Sequence, residues 1–237
     1  NLEPLKDLMA KLYACSLINL PVCIVGQTGI GKTSLAREFA RIRPLSDNSI
    51  QFLMQSFSSD TKPKHIFGTP TIKNGKINFN NGTLLTSMIK GLTFIADEFN
   101  LSPISTMKAV APAFEPINDQ SIIISGIDEP IKVSPNFFFI ACQNELGMVG
   151  RNKIPSTIDY KIRFFDYPKQ KIEDFSSISV DISKSIYDEE DEKSFTDEDA
   201  KKVGIFFYKL NEENIRIIQC LSIRNITKLF HRIHYQD

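Results

Sequence analysis

Hydrophobic residues follow two different spacings along the chain, and together these predict an α/β fold. Short uninterrupted apolar runs are typical of buried strands, whereas apolar residues three and four positions apart indicate amphipathic helices. The strand candidates are residues 22–25, 49–57, 92–96, 137–142 and 160–165. The helix candidates are residues 2–19, 34–42, 83–90 and 103–115. Because strands alternate with helices, we expect a mostly parallel, three-layer sheet.

Two turn-rich segments in this pattern predict β-hairpin inserts. In the first, Asn74-Gly75 is typical of a two-residue hairpin turn. In the second, the short apolar stretches 121–124 and 131–133 flank a segment that contains Gly and Pro. The first of these hairpins is expected to project from the core.

Ser102-Pro103 marks the start of the helix that ends near Glu115. A serine hydroxyl can cap the first free amides of a helix, and proline is favoured in the first turn. We therefore expect Ser102 to be the N-cap, and Pro112 to kink or shorten this helix.

Composition changes in the last third of the chain, which predicts a second domain. Ser, Asp and Glu are frequent at 176–199, so this stretch is interpreted as a solvated linker or flexible loop. Helical spacing returns after Ala200. The predicted organisation is an α/β core at 1–168, an acidic linker or loop at 169–199 and a helical lid, whole or partial, at 200–237.

Overall composition excludes several classes of function. The chain carries 28 basic and 28 acidic residues, so no net field draws it toward nucleic acid or an anionic membrane. No apolar run reaches the length of a membrane span, and no signal peptide opens the chain. Four widely spaced cysteines, Cys15, Cys23, Cys142 and Cys220, indicate reduced residues of an intracellular protein. The start at Asn1, without Met, favours a fragment of a longer protein.

The segment Gly-Gln-Thr-Gly-Ile-Gly-Lys-Thr at 26–33 carries the strongest chemical signal. Its spacing, G-x-x-x-x-G-K-T between a strand and a helix, is that of a phosphate-binding loop. Glycines let consecutive amides turn toward phosphate oxygens, and the helix adds its positive N-terminal end. Lys32 would reach the β- and γ-phosphates, and the Thr33 hydroxyl a Mg²⁺ ion. The expected nucleotide-binding residues are Gly26, Gln27, Thr28, Gly29, Ile30, Gly31, Lys32, Thr33 and Ser34.

Three polar residues follow buried strands and complete a candidate hydrolytic site. Asp97 and Glu98 come directly after the run 92–96, and Asn144 follows the run 137–142. Ligands of parallel sheets bind at the carboxyl ends of the strands, so we expect these residues to lie along one edge with the phosphate loop. Asp97 would hold the Mg²⁺ shell through water, and Glu98 would act as general base. Asn144 would bond the γ-phosphate or the attacking water.

These segments resemble AAA+ ATPases. The stretches GQTGIGKT, LTFIADEFNLSP, FFFIACQN and VGRNKIP are similar to the Walker A, Walker B, sensor 1 and downstream segments of that family. Asp-Glu-x-Asn-Leu-Ser-Pro at 97–103 and Asn-Gly-Thr-Leu-Leu at 81–85 are similar to the dynein-related group, which includes midasin. The resemblance covers residues 15–168 well and the remainder loosely. It implies an AAA+ nucleotide-binding core and a small helical lid, with ATP and Mg²⁺ as cofactors.

The resemblance also implies two arginines at the site. Arg224, in Leu-Ser-Ile-Arg-Asn-Ile, is similar to the sensor 2 arginine that reaches the γ-phosphate from the lid. The family's second arginine enters the neighbouring subunit's site. Here Lys161 occupies its register and Arg163 stands two residues later. Lysine cannot match the bidentate fork of arginine, so Arg163 is favoured and Arg151 is the reserve.

The activity that the resemblance implies is Mg²⁺-dependent ATP hydrolysis that remodels a macromolecular partner. A midasin-like module would work with neighbouring AAA+ modules in a ring, from the same chain or a homo-oligomer. Its substrate would be a protein or a ribonucleoprotein such as a ribosome precursor, in the nucleus or nucleolus. The alternatives are a MoxR-like cofactor-insertion chaperone, which would be cytoplasmic, and a structural module that binds nucleotide without hydrolysing it. Neither a membrane nor a direct nucleic-acid contact is expected.

Overall fold

A five-stranded parallel sheet forms the centre of the computed structural model, which describes residues 3–43, 51–73, 76–115, 121–123, 130–145, 150–169, 171–186 and 196–212. The strands are β1 (Val22–Val25), β2 (Phe52–Ser56), β3 (Gly68–Lys73), β4 (Lys76–Asn81), β5 (Thr93–Asp97), β6 (Ser121–Ile122), β7 (Ile131–Lys132), β8 (Phe138–Gln143) and β9 (Arg163–Asp166). The helices are α1 (Glu3–Leu17), α2 (Lys32–Ile42), α3 (Pro63–Phe67), α4 (Thr83–Lys90), α5 (Ile104–Ala109), α6 (Ser156–Asp159), α7 (Ile172–Ile186) and α8 (Asp197–Glu212). No described helix combines the length and the apolar character that a membrane crossing requires.

The strand order of the sheet, β2-β5-β8-β1-β9, brings the carboxyl ends of its inner strands together. All of its strand pairs are parallel. Val25, at the end of β1, lies opposite Gln143, at the end of β8, and Ala96 near the end of β5 lies opposite Ala141. Loops that leave these strands therefore start from one edge of the sheet, as predicted.

Side chains alternate between the two faces of the sheet and fill two cores. On one face Ile24, Ile95 and Ile140 pack with residues of α1 and α2. On the other face Phe94 and Phe139 pack with residues of α4 and α5. The inner strands are buried on both faces, as in parallel sheets that helices cover. The predicted three-layer α/β fold is confirmed.

Both predicted β-hairpins are present. The strands β3 and β4 pair antiparallel, with Lys73 opposite Lys76. The strands β6 and β7 form a second, two-residue antiparallel ladder. The residues between the paired strands, 74–75 and 124–129, lie outside the described part of the chain. A helix that the sequence analysis missed, α3, precedes the first hairpin, and its five residues are too few for a recognisable period.

Pro112 shortens the helix that follows the acidic pair, as predicted. The helix α5 has only six residues, and a 3₁₀ turn at Ala111–Phe114 continues the chain. The predicted cap at Ser102 is wrong, because Pro103 occupies the N-cap position and makes no side-chain hydrogen bond there. The Ser102 hydroxyl instead donates to the carbonyl oxygen of Phe99 at 2.7 Å. This local acceptor, in the preceding 3₁₀ turn, competes with the free amides of the helix.

The chain divides into two compact units. One consists of Leu5–Gly26 and Lys32–Tyr167 and contains the sheet. The other consists of Asn1–Pro4, Gln27–Gly31 and Pro168–Asp237. In the second unit the described helices α7 and α8 pack against each other.

The linker predicted at 169–199 is wrong for much of its length. Residues Ile172–Ile186 form α7, and α8 begins at Asp197. The apolar residues of α7 recur at helical spacing, but the frequent Ser and Asp residues between them led to the loop interpretation. The Lys184 ammonium lies 3.0 Å from the Asp197 carboxylate and links the two helices. The acidic run 188–192 and residues 213–237 of the predicted lid lie outside the described residues.

Cys15, Cys23 and Cys142 are buried free thiols, which agrees with the prediction that they are reduced. Burial raises the pKa of each thiol, so these cysteines stay protonated at neutral pH. Cys220 lies outside the described residues.

Replacing Phe139 with Ala should lower the free energy of unfolding by about 3–5 kcal/mol, because it leaves a cavity at the centre of the core. Phe139 is 1% exposed, and its ring centroid lies 5.6, 6.0 and 4.8 Å from those of Phe94, Phe99 and Phe114. Urea denaturation measures the effect. Ile72→Ala is the control, because this side chain is 78% exposed and its loss should cost less than about 0.5 kcal/mol. Equal losses in the two variants would contradict the assignment of the core.

Candidate functional site

The Lys32 side chain lies at the edge of the sheet where β1 and β8 end. It is the first residue of α2 and is only 6% exposed. Its ammonium donates to the carbonyl oxygen of Gly26 at 2.8 Å and to Oδ1 of Asn144 at 2.7 Å. Burial is the largest cause that lowers the pKa of Lys32, and the nearby Glu98 and Asp97 carboxylates oppose this shift. A buried cation among oxygen acceptors is therefore the centre of the site.

The backbone of the phosphate-loop motif turns at two glycines. Gly29 has a φ of 79° and Gly31 a φ of 105°, in the left-handed region that residues with a Cβ rarely adopt. This backbone fits a loop whose amides turn toward a phosphate. The other predicted residues of the motif lie between the end of β1 and the first turn of α2, namely Gly26, Gln27, Thr28, Ile30, Thr33 and Ser34.

The two predicted metal-binding residues, Thr33 and Asp97, are in direct contact. The Thr33 hydroxyl donates to Oδ1 of Asp97 at 2.8 Å, although the residues are 64 positions apart. The same carboxylate oxygen accepts the backbone amide of Glu98 at 3.1 Å. A hydroxyl and a carboxylate are the oxygen ligands that Mg²⁺ prefers. The pair fits a magnesium ion, and its role as a metal site stays a prediction.

Asn144 connects Lys32 with Glu98. Its Nδ2 donates to both carboxylate oxygens of Glu98, at 3.0 Å to Oε1 and 2.7 Å to Oε2. Its Oδ1 accepts from the Lys32 ammonium, and the residue is only 1% exposed. The structure thus brings together three of the predicted residues from distant parts of the sequence. A cation, an amide and a carboxylate form one chain of hydrogen bonds.

Asn100 is a residue of this site that the sequence analysis missed. It is fully buried, and its Nδ2 donates to the carbonyl oxygen of Asn144 at 2.8 Å. Its own carbonyl oxygen accepts the backbone amide of Asn152 at 2.8 Å. A signal was present, because Asn100 is the Asn of Asp-Glu-x-Asn, but that motif was used only to recognise the family. Asn100 fixes the end of β8 to the loop that follows β5.

Arg151 also lies in the site, although it was predicted only as the reserve for a neighbouring subunit. Its Nη1 forms an ion pair with Oε2 of Glu98, and the two side chains are 10% and 29% exposed. The same nitrogen lies 3.4 Å from Oδ1 of Asn100. Two cations therefore contact this part of the site. Lys32 bonds the Asn144 amide, and Arg151 bonds the Glu98 carboxylate.

The structure does not bring Arg163 or Lys161 into this cluster. Arg163 is exposed at the amino end of β9, opposite Val22, and its guanidinium carbon lies 5.7 Å from the centroid of the Phe165 ring. Lys161 forms an ion pair with Glu115. Arg224 lies outside the described residues.

These features define a P-loop nucleotide-binding protein of the α/β class. The loop G-x-x-x-x-G-K-T lies between a buried strand and a helix, and an Asp-Glu pair stands at the end of another strand. The model of one family, the AAA domain of the dynein-related subfamily, matches residues 21–159. This is more than half of the chain, and the chain belongs to that family. Membership supports nucleotide binding and a nucleotide-dependent activity.

Two curated relatives carry the name midasin. Midasin from Dictyostelium discoideum is 26% identical over 167 residues, which cover 65% of this chain and 3% of the relative. Midasin from Giardia intestinalis is 23% identical over 186 residues, which cover 76% of this chain and 4% of the relative. The chain therefore spans only 3 to 4% of the length of these relatives.

A solved structure of a candidate ATPase from Cytophaga hutchinsonii has a similar fold. It matches with a TM-score of 0.52 and 15% sequence identity, over 96% of this chain and 57% of that chain. At this identity the match shows the fold alone.

Replacing Asn100 with Ala should lower the free energy of unfolding by about 1–3 kcal/mol, because the buried carbonyl group of Asn144 loses its donor. Urea denaturation measures this loss. Asn136→Ala is the matched control, because Asn136 is exposed and its replacement should change stability by less than about 0.5 kcal/mol. An unchanged stability of Asn100→Ala would show that the contact with Asn144 is unimportant.

Proposed function

We propose that this chain is a Mg²⁺-dependent ATPase module that couples hydrolysis to the remodelling of a macromolecular partner. One observation carries the proposal. Lys32 and Thr33, consecutive residues of the phosphate-loop motif, bond to Asn144 and Asp97, which stand 112 and 64 positions later. The residues that we propose for phosphate and metal binding therefore contact residues that follow two other strands, which supports a single site, and family membership supports ATP as the nucleotide.

Lys32 binds the β- and γ-phosphates in this proposal. Its ammonium donates to Gly26 and Asn144, and it can turn one of its three N–H donors from a neutral acceptor to a phosphate oxygen. A charged acceptor makes a stronger hydrogen bond than a neutral one, which favours the exchange. Mg²⁺, held by Thr33 and Asp97, supplies further neutralisation of phosphate charge when it is bound.

Glu98 acts as the general base that takes a proton from the attacking water. Its carboxylate stands one residue after the metal residue Asp97 and is bonded by Asn144. If Lys32 gives up Asn144 for a phosphate oxygen, Oδ1 of Asn144 loses that donor, and the amide would turn toward the γ-phosphate or the water. The proposed roles of Glu98 and Asn144 are coupled for this reason.

Arg163 remains the favoured residue for insertion into a neighbouring module of a ring. It is exposed, and its guanidinium stacks on Phe165. The other two candidates are bound to carboxylates of their own chain, Lys161 to Glu115 and Arg151 to Glu98. An accessible guanidinium is the requirement for a residue that acts on another site.

The partner that we propose is a protein or a ribonucleoprotein, and in its finer form a ribosome precursor. The support for the finer form is the likeness to two proteins named midasin, of whose length this chain spans 3 to 4%. Arg224 would act on the chain's own nucleotide as the sensor 2 residue, and this role rests on the resemblance of its sequence segment alone.

A module that holds ATP without hydrolysing it is the second candidate. The observation that favours it is that both oxygens of the Glu98 carboxylate already accept hydrogen bonds, from Asn144 and from Arg151. A carboxylate that stays engaged in this way is a poor proton acceptor. Measurement of hydrolysis distinguishes the two candidates.

Lys32→Ala should weaken MgATP binding at least about 10- to 100-fold, because hydrogen bonds between charged groups contribute about 1.5–3 kcal/mol. The measurement is the rise in melting temperature that MgATP produces. Lys90→Ala is the control, because this exposed lysine lies at the end of α4 and should leave the rise unchanged. Full stabilisation of Lys32→Ala by MgATP would remove the phosphate-binding role.

Glu98→Gln should slow single-turnover ATP hydrolysis by about 10²- to 10⁴-fold, which is the usual contribution of a general base. Binding of MgATP should persist, because the amide keeps the shape of the carboxylate. The rate is measured in the full-length protein, and the rate that remains in Lys32→Ala gives the background from any other site. If Glu98→Gln hydrolyses ATP as fast as the unchanged protein, the assignment of Glu98 as general base is wrong, and an equally fast Lys32→Ala would favour the non-hydrolysing candidate.

A further inference from the structure

Arg151 is a nearly buried cation whose main partner is the Glu98 carboxylate. The arginine side chain is 10% exposed, and Nη1 bonds Oε2 of Glu98. Its Nε is buried and has no hydrogen-bond partner among the described residues. A buried guanidinium that is only partly bonded is unfavourable unless a carboxylate compensates its charge. The ion pair with Glu98 therefore holds Arg151 in the site.

The backbone around Arg151 is fixed to the loop that carries Glu98. The amide of Asn152 donates to the carbonyl oxygen of Asn100 at 2.8 Å, and Nδ2 of Asn152 donates to that of Ser102 at 3.0 Å. Gly150, just before Arg151, has a φ of 80°, which turns the chain into this position. The arginine and the glutamate thus belong to two segments that are clamped together.

The two oxygens of the Glu98 carboxylate are not equivalent. Oε2 accepts from Arg151 and from Asn144 at 2.7 Å, whereas Oε1 accepts from Asn144 at 3.0 Å. Each carboxylate oxygen can accept about two hydrogen bonds, so Oε2 is fully engaged whereas Oε1 retains a free lone pair. If the Asn144 amide turned toward a bound phosphate, Oε2 would keep its bond to Arg151 and Oε1 would lose the donor that it has here.

We propose that Arg151 is a positioning residue in cis: it anchors Oε2 of Glu98 so that Oε1 is presented to the attacking water. This inference rests on the proposed role of Glu98 as general base. It assigns a function to a residue that was a reserve candidate for a neighbouring site. A rotation of the carboxylate would misplace the accepting oxygen, and small misplacements of reacting groups are costly in rate.

The geometry favours a role in cis over a role in trans. Insertion into a neighbour's site would require Arg151 to leave Glu98, to release the contact with Asn100 and to become exposed. It would also break the ion pair of the Glu98 carboxylate at the moment when that carboxylate must be oriented. Arg163 needs none of these changes, because it is already exposed.

Arg151→Ala should lower kcat for ATP hydrolysis about 10²-fold, with the Kd for MgATP changed by less than about twofold, since misorientation affects the reacting groups rather than binding. Arg151→Lys should recover part of the rate, because one N–H donor makes the contact with Oε2. Guanidinium ion added to Arg151→Ala should recover part of the rate as well. The full-length protein is used, with the rate of Lys32→Ala subtracted as background.

The decisive measurement combines Arg151→Ala with Glu98→Gln. If Arg151 acts only through the Glu98 carboxylate, the double variant hydrolyses ATP at the rate of Glu98→Gln alone. If Arg151 acted on a neighbour's site, its replacement by Ala would instead lower the rate by the same factor in the unchanged protein and in Glu98→Gln. Arg41→Ala, which removes an exposed arginine of α2, is the control and should leave kcat unchanged. Urea denaturation of each variant separates a loss of fold from a loss of positioning.

Three outcomes would overturn the inference: an unchanged or raised kcat in Arg151→Ala, equal factors in the two backgrounds, or no recovery by either lysine or guanidinium. Each of these leaves the proposed function intact as long as Glu98→Gln itself is slow. Undiminished hydrolysis by Glu98→Gln would instead overturn the proposed function. The two failures are therefore distinguishable in one set of measurements.

Discussion

The buried ammonium of Lys32 is the constraint on which the site depends. A charge that is withdrawn from water requires close acceptors, and Gly26 after β1 and Asn144 after β8 supply them. These acceptors meet because β1 and β8 are neighbours in parallel register. The order of the sheet and the position of the cation therefore depend on each other. A rearrangement of the central strands would separate Lys32 from the Asn144 acceptor.

From Lys32 the interactions continue as a single network. Lys32 bonds Asn144, and Asn144 bonds Glu98. Glu98 forms an ion pair with Arg151, and Asn100 bonds the backbone carbonyl oxygen of Asn144. These residues follow different strands, so no local segment contains the site. Connected polar groups in a protein interior reinforce one another, and a bound anion that takes one donor changes the partners of the next. A change at one residue of this network therefore alters the contacts of the others.

The strands and the acidic pair could be predicted from the sequence because continuous apolar runs and motif spacing are local signals. Asp97 and Glu98 were recognisable from the run that precedes them. The contact between Arg151 and Glu98 could not be predicted, because it joins two irregular loops 53 positions apart. The helix α7 was missed for another reason: its polar composition outweighed a helical spacing that was present. Contacts between distant loops can be predicted only when the fold that brings the loops together is known.

The backbone at Glu98 has a further consequence. Its φ of 54° lies in the left-handed region, which costs roughly 1–2 kcal/mol for a residue with a Cβ. A glycine at this position would adopt the same conformation with little strain, but it would remove the carboxylate. The strained backbone and the carboxylate are therefore tied together at this residue, because loss of the side chain would also leave the nearly buried Arg151 without the carboxylate that compensates its charge. Relief of strain at position 98 would be offset by the loss of this ion pair, so a search for a more thermostable form of the chain would find no simple gain there.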